Sequence, residues 1–260
     1  MGFAYFEVVR WTLCFFYWAW PGFFSALIAV ACHRSEAGAT LDGNDAGHWR
    51  AQIESAEGRT AALQRLSTAG PEATPLLIEL LQVPRGKTPI VAAQLLGDRG
   101  LDAVPALTDA LGARSDSVRI AAAAALGLIG PPAQSALPAL RQLRDSEQPT
   151  NLRIASCVGI WGISREPSEI MPTMLDGLRS GSPEVVFAAT GLAALVGARA
   201  VSPLVVALES DDPKFRAAAA NALGAIGADA APARRKLEAL LEDREPTVRA
   251  AAQGALNALE

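Results

Sequence analysis

The residues able to do chemistry are few in this 260-residue chain, and their spacing keeps them apart. Both histidines, His33 and His48, precede residue 50, and Cys157 is the one cysteine beyond residue 32. A hydrolytic nucleophile needs a base such as histidine beside it, and a zinc site of ordinary spacing needs several His or Cys ligands. The chain beyond residue 50 offers neither combination. We therefore expect no catalytic residue, no metal and no cofactor.

The other reactive side chains have structural interpretations. Cys157 lies in an apolar stretch, so we expect it to be a small buried hydrophobic residue. The carboxylate pairs Asp211-Asp212 and Glu242-Asp243 fall between predicted helices. There they favour the N-terminus of the next helix through its dipole, which explains them without acid–base catalysis.

The charge balance excludes a general nucleic-acid surface. After residue 34, Asp and Glu outnumber Lys and Arg by 26 to 21. Binding along a phosphate backbone requires an excess of basic side chains. We therefore expect a protein partner, of unknown identity, and no nucleic acid.

The N-terminus differs sharply in composition from the rest of the chain. Eleven of the fifteen aromatic residues precede residue 25, and residues 11–32 include no charged side chain. Twenty such residues are enough to cross a bilayer. We interpret residues 1–32 as a signal or anchor segment. Residues 33–52 are polar and rich in Gly, Asp and Ser, so we predict a flexible tether.

The end of the apolar segment, LIAVAC (27–32), resembles a bacterial lipoprotein cleavage site, in which small residues precede a cysteine that becomes lipidated. The resemblance implies lipidation at Cys32 and a body held at the cell envelope, outside the cytoplasm. An uncleaved transmembrane helix is the alternative. Glu7 and ten residues precede the apolar run, which is unusual for a signal; translation starting at Val8 or Val9 would leave a short basic n-region at Arg10.

The body is organised as a repeat, marked by prolines about 31 residues apart. Each proline begins an apolar-periodic stretch, so we predict six second helices that open at Pro75, Pro105, Pro138, Pro172, Pro203 and Pro232. An Ala-rich first helix precedes each one and, by this interpretation, ends at a left-handed glycine: Gly70, Gly97, Gly130, Gly162, Gly197 or Gly227. Arginine recurs at one position of the first helices, at Arg119, Arg153, Arg216 and Arg249, and we assign Phe187 to the same position.

The pattern xPxVRxxAAxALGxIGxxxAxPxLxxLL is similar to the HEAT-like repeat also found in phycobilisome lyase subunits, and it covers residues 53–260. The resemblance implies an all-α fold, a right-handed α-α superhelix of about six helix pairs plus a terminal helix. Such arrays bury a continuous core between neighbours and present a concave surface. Trp161 replaces a Leu or Ile of the pattern; we expect it to fill the core, with a ligand-stacking surface as the alternative.

Residues three to four after each proline lie off the apolar stripe of the second helices. We therefore predict a concave binding face formed by Glu79, Asp109, Gln142, Asp176 and Lys236. The predicted function is a non-catalytic protein–protein interaction scaffold tethered to the cell envelope. One alternative is a phycobilin lyase-like chromophore attachment subunit, which the export segment opposes. Another is a HEAT-like DNA-repair glycosylase, which the acidic body also opposes.

Overall fold

The computed structural model describes residues 38–81, 83 and 88–259, with the backbone alone for Ile90. Within these residues the chain is helical, and its one extended pairing is an isolated bridge between Leu41 and Asn44. The α-helices are α1 Ala46–Glu54, α2 Arg59–Thr68, α3 Thr74–Leu81, α4 Thr88–Asp98, α5 Val104–Ala110, α6 Asp116–Ile129, α7 Leu137–Asp145, α8 Thr150–Ser164, α9 Pro167–Leu178, α10 Pro183–Val196, α11 Ala198–Ala207, α12 Pro213–Ile226, α13 Arg234–Ala239 and α14 Pro246–Ala258.

The helices alternate between two layers and form an all-α superhelix, as predicted. One layer, here called the Ala-rich layer, consists of α4, α6, α8, α10, α12 and α14. The other, the Pro-led layer, consists of α3, α5, α7, α9, α11 and α13. Successive Ala-rich helices contact each other, and each Pro-led helix contacts the Ala-rich helix that follows it. The six predicted pairs run from α2 to α13, and α14 ends the array as the predicted terminal helix.

The array begins earlier than predicted. Residues 33–52 were expected to form a flexible tether, yet α1 starts at Ala46 and packs on α2 and α3. Trp49 and Leu41 are buried in the core. Asp45 caps α1 by accepting a hydrogen bond from the amide of His48 at 2.9 Å. The prediction was wrong for this part of the segment because two apolar residues in a polar stretch suffice to anchor one short helix against the first pair.

The prolines open only some of the second helices. Pro75, Pro105 and Pro138 lie in the first turn of α3, α5 and α7, as predicted. Pro172 and Pro203 instead lie inside α9 and α11. In most pairs a 3₁₀ turn precedes the second helix, but in these two that turn is wound as α-helix. Pro232 lies in the 3₁₀ turn ahead of α13.

Left-handed glycines end three of the Ala-rich helices where the sequence predicted them. Gly130, Gly197 and Gly227 have φ of 74°, 66° and 74°. At Gly130 the amide donates to the carbonyl of Leu126, which satisfies one of the carbonyl groups left over at the helix end.

The other predicted end positions were wrong. Gly97 and Gly162 lie inside α4 and α8, and Gly70 has an ordinary φ of −73°. The left-handed residues near those helix ends are Gly100 and Arg165, with φ of 61° and 57°. Gly97 and Gly162 serve a different purpose, since both lie against α6 of the neighbouring pair.

Close backbone contact holds the Ala-rich layer together. A Cβ atom placed on Gly162 of α8 would lie 2.5 Å from the Cα of Gly127 in α6, and one on Gly159 would lie 2.8 Å from the carbonyl oxygen of Ala123. Nothing larger than glycine fits these positions. Because 123 opposes 159 and 127 opposes 162, α6 and α8 run in the same direction and in register.

The core lies between the two layers and is built from Ala and branched aliphatic residues. Leucines of the Pro-led layer, such as Leu80, Leu107 and Leu140, are fully buried against alanines of the Ala-rich layer, such as Ala92 and Ala122. Each buried leucine contributes about 1.5–3 kcal/mol relative to exposure. Small residues on one layer and larger ones on the other therefore set two different helix spacings.

Candidate binding surfaces

Three of the five nominated residues are engaged in contacts within the chain. Glu79 accepts a hydrogen bond from the amide of Ala39 at 3.0 Å, so it holds the segment ahead of α1. The carboxylate of Asp176 lies 3.6 Å from the guanidinium group of Arg179, the residue that follows its own helix. Lys236 of α13 forms an ion pair with Glu209, which follows α11. The Lys236 and Asp176 pairs are exposed, so each stabilises the fold only weakly and remains accessible.

The other two, Asp109 of α5 and Gln142 of α7, line one cavity of about 350 Å³. The cavity lies between successive Pro-led helices, and stacking of the pairs creates it. Its remaining lining residues are Thr108, Leu111, Gly112, Ala139, Leu143, Ser146 and Gln148. The fold therefore brings two of the five nominated residues, Asp109 and Gln142, to one cavity.

The polar groups of this cavity suit hydrogen bonding and contribute no reactive pair. Thr108 donates its hydroxyl proton to the carbonyl of Val104 at 2.7 Å, and Gln148 accepts from Arg119 at 2.9 Å. The carboxylate of Asp109 gives the cavity a negative group, which favours a positively charged or hydrogen-bond-donating side chain of a partner.

Two of the four recurring arginines, Arg119 and Arg216, fasten successive pairs at the N-terminal ends of the Ala-rich helices. Arg216 donates two hydrogen bonds of 2.9 Å to the carboxylate of Asp243, in the turn of the next pair. These bonds hold the pKa of Asp243 below its usual value. Arg119 reaches the next turn at Gln148 in the same way.

Phe187 does not belong to this row of arginines. The left-handed Gly130 lies eleven residues after Arg119, and the equivalent Gly197 lies eleven residues after Val186. Val186 therefore takes the arginine position, and Phe187 comes one residue later and faces solvent. The assignment from sequence was wrong by one residue, although the xPxVR pattern counted from Pro183 gives the correct register.

Phe187 is the most exposed large apolar side chain that the structure describes, at 81%. Leu195, two turns further along α10, is 52% exposed, and Leu128 of α6 is 62% exposed. All three side chains belong to the Ala-rich layer, whose outward residues the sequence interpretation did not consider as a candidate surface.

Trp161 fills the core, as expected, and is only 4% exposed. Its indole N–H has no hydrogen-bond partner among the described residues. The guanidinium groups of Arg165 and Arg199 both lie 5.6 Å from the centre of its ring. Arg199 also donates to the carbonyl oxygen of Arg165 at 2.8 Å. The two exposed arginines are thereby held together next to the C-terminal ends of α8 and α10.

The other candidate chemical groups have structural roles. Cys157 is fully buried, and burial raises the pKa of its thiol to about 11. Asp212 caps α12 by accepting from the amide of Lys214 at 2.9 Å, as its position before a helix predicted. In the described part of the chain, no three His, Cys, Asp or Glu side chains are close enough to hold a metal ion.

Cys32 and the apolar segment 1–32 lie outside the described residues. Among the helices that are described, none combines the length and the apolar character needed to span a bilayer.

The family model for HEAT repeats matches residues 73–160 and 171–257, together more than half of the chain. The chain therefore belongs to the HEAT-repeat proteins, and its paired helices form a repeat scaffold. No curated protein matches it.

Solved structures with a similar arrangement include human deoxyhypusine hydroxylase in complex with glycerol, at 21% identity and a TM-score of 0.37, covering 82% of this chain and 96% of that one. The complex of CpcE and CpcF of phycocyanin lyase from Nostoc sp. is 22% identical, with a TM-score of 0.40 and coverage of 87% and 97%. A designed armadillo repeat protein in complex with the peptide (KR)4 is 18% identical, with a TM-score of 0.26 and coverage of 84% and 100%. At these values the likeness carries no argument about function.

Proposed function

We propose that this protein is a non-catalytic scaffold that binds a partner protein and is held at the cell envelope by its N-terminal segment, with the repeats outside the cytoplasm. The observation that carries the binding role is the cavity between α5 and α7, because it exists only where two repeats stack. A solenoid that places polar groups between its stacked repeats can bind an extended partner along several repeats. The alternative of a phycobilin lyase-like subunit is not favoured over this role.

The binding role is tested by charge reversal at the cavity. Asp109→Lys and Gln142→Lys add positive charge where we expect the partner to place donors, so recovery of one stoichiometric envelope protein with the purified chain should fall about tenfold or more. Glu238→Lys on α13 is the control, since Glu238 is exposed and distant in sequence from the cavity. Equal recovery with all three variants would contradict a site at this cavity.

The envelope location is tested by the intact mass of the membrane-extracted protein, wild type beside Cys32→Ala. We expect a mature wild-type chain that begins at a lipid-modified Cys32, and we expect the variant to lack the modification. An unmodified full-length chain would contradict the lipoprotein proposal and leave the uncleaved transmembrane anchor. The mass also identifies the first residue of any precursor, which separates a start at Met1 from one at Val8 or Val9.

A further inference from the structure

Carboxylates stand four residues after the proline in three of the Pro-led helices, and they differ in what they contact. Glu79 accepts the hydrogen bond from Ala39, and Asp176 lies within ion-pair distance of Arg179. In the described part of the chain, the carboxylate of Asp109 takes part in no hydrogen bond and no ion pair. It is exposed and lines the cavity between α5 and α7. Its lone pairs are therefore available to whatever enters that cavity.

The two hydroxyl groups of the cavity also present acceptors, because their protons are already engaged. Thr108 donates to the carbonyl oxygen of Val104 at 2.7 Å, and Ser146 donates to that of Leu143 at 2.8 Å. A hydroxyl group whose one proton is engaged can only accept a further hydrogen bond. Together with the carboxylate of Asp109, these two oxygens form what we call the acceptor set.

The remaining polar groups of the cavity do not balance its charge. Arg119 donates to Oε1 of Gln148 at 2.9 Å, which leaves the NH₂ group of Gln148 as a neutral donor. Gln142 adds a second neutral amide. None of the described residues that line the cavity is Lys, Arg or His. The charge of Arg119 itself is paired with Asp116, so the negative charge of the lining stays without a cation from these residues.

The wall of the cavity is apolar beside the acceptor set. Leu111, Ala139 and Leu143 line it, and the whole space is about 350 Å³. A basic side chain combines an alkyl stem, which packs on apolar surface, with a charged head that only donates hydrogen bonds. An acidic side chain would meet the like charge of Asp109. A purely apolar one would remove water from this carboxylate without replacing its hydrogen bonds, which is costly.

We infer that the cavity between α5 and α7 holds a basic side chain of the partner protein, a lysine or an arginine, with its alkyl stem on the apolar wall and its cation at the acceptor set. The inference rests on the proposed scaffold function and adds the chemistry that the cavity selects in the partner. Hydrogen bonds from a cation to a carboxylate are stronger than those between neutral groups. Asp109 is therefore the residue that decides which side chain binds.

The first experiment measures binding of the side chain alone, without the partner. The full chain, with labelled methyl groups and in detergent micelles, is titrated with a glycine–lysine–glycine peptide and with its arginine counterpart. Both ends of each peptide are capped, so its one charge is on the side chain. Methyl signals of Leu111 and Leu143 report the cavity, and those of Val206, exposed on α11, report non-specific binding. We expect saturable shifts at the two leucines with at least one peptide, and none at Val206.

Neutral side chains of similar length provide the matched probes. The same peptides with Nε-acetyl-lysine or citrulline should bind at least about tenfold more weakly, because hydrogen bonds to charged groups contribute more than neutral ones. Whichever charged peptide binds more tightly identifies the head group. No shift with either charged peptide, or equal binding of the charged and neutral peptides, would overturn the inference.

Two variants then test the role of the carboxylate. Asp109→Asn removes the charge with little change of shape, and it should weaken binding of the charged peptide at least about tenfold. Asp176→Asn should leave binding unchanged, because Asp176 holds the same position of α9 but does not line the cavity. The methyl spectrum shows whether each variant is folded. Binding that Asp109→Asn leaves intact would contradict the assignment.

The same variants in the partner-recovery assay separate this inference from the scaffold proposal. We expect Asp109→Asn to lower recovery about tenfold or more, and Asp176→Asn to leave it unchanged. If Asp109→Lys abolishes recovery and Asp109→Asn does not, the scaffold proposal stands and the basic side chain falls. If peptide binding depends on Asp109 but recovery does not, the cavity takes a free amine instead of the partner, and the inference falls as well.

Discussion

Asp243 shows how a single carboxylate joins two repeats. It accepts two hydrogen bonds from Arg216, and its side chain is only 9% exposed. The backbone amide of Glu245 also donates a hydrogen bond of 3.0 Å to the same carboxylate. These contacts favour the ionised form, so the pKa of Asp243 lies below the ordinary value of 3.8.

The lowered pKa gives a signed prediction for stability against pH. A carboxyl group whose pKa falls on folding stabilises the protein above its unfolded pKa, and this contribution is lost as the pH falls through the folded pKa. We expect Asp243→Asn to lower Tm at pH 7 and the difference from wild type to shrink below about pH 4. Thermal melts at pH 7, 4 and 2.5 measure this, with Glu242→Gln as the control. A Tm difference that is equal at all three pH values would refute the assignment.

Cys157 supports a second prediction at this scale. With a pKa of about 11 and no exposed surface, the thiol should resist alkylation in the folded protein and react after unfolding. Iodoacetamide labelling at pH 8, followed by peptide mass spectrometry at Cys157, compares the native chain with the chain in urea. Rapid labelling of the native chain would show that α8 opens or that the side chain is accessible.

At the scale of the element, glycine sets the distance between α6 and α8. In most helices glycine lowers stability relative to alanine by about 0.5–1 kcal/mol, through greater freedom of the unfolded chain. Gly159 and Gly162 offset this loss of stability because they let α6 and α8 pack with their backbones in contact. The Ala-rich character of the layer follows from the same requirement for small side chains at the contact.

Alanine substitutions at two helical glycines should therefore have opposite effects. Gly162→Ala places a methyl group 2.5 Å from the Cα of Gly127, and we expect overpacking to destabilise the fold by about 1–3 kcal/mol. Gly254→Ala in α14 meets nothing within 4 Å, so better helix propensity should stabilise the fold by about 0.5–1 kcal/mol. Urea unfolding measures the free energy of unfolding of both variants. Equal changes in the same direction would show that α6 and α8 are not in backbone contact.

On the scale of the whole molecule, each pair of helices depends on its neighbours. The core runs without a break from Trp49 to Leu259, and most contacts of each helix are with the adjacent pairs. Stability in such an array is a sum over neighbouring interfaces, and a terminal helix has one interface where a central helix has two.

We expect this to appear as a gradient of hydrogen exchange. Amides of α8, which is buried between two neighbours, should exchange at least about tenfold more slowly than amides of α1 and α14. Exchange followed by mass spectrometry measures protection helix by helix. Uniform protection from α1 to α14 would mean that the array unfolds as one cooperative unit instead.

The sequence predicted the repeat architecture because the features that determine it are local. Prolines, capping carboxylates and apolar spacing follow the same period, so they specify the pairs and their order. The exact helix ends at Gly97 and Gly162 could not be predicted, since a glycine needed for a left-handed end and one needed for a close contact look alike in a sequence. Asp109 and Gln142 were nominated by residue position, but the cavity that they line depends on how α5 and α7 pack.

The unequal spacing of the two layers also determines how the molecule responds to a mechanical load. Backbone contacts such as that of Gly127 with Gly162 have almost no compliance, whereas exposed ion pairs such as Lys236 with Glu209 extend easily. Tension applied along the array should therefore open the Pro-led side first, while the Ala-rich side acts as the pivot. The protein then behaves as a spring with a stiff Ala-rich edge, whose curvature is the quantity that a pull on its ends would change.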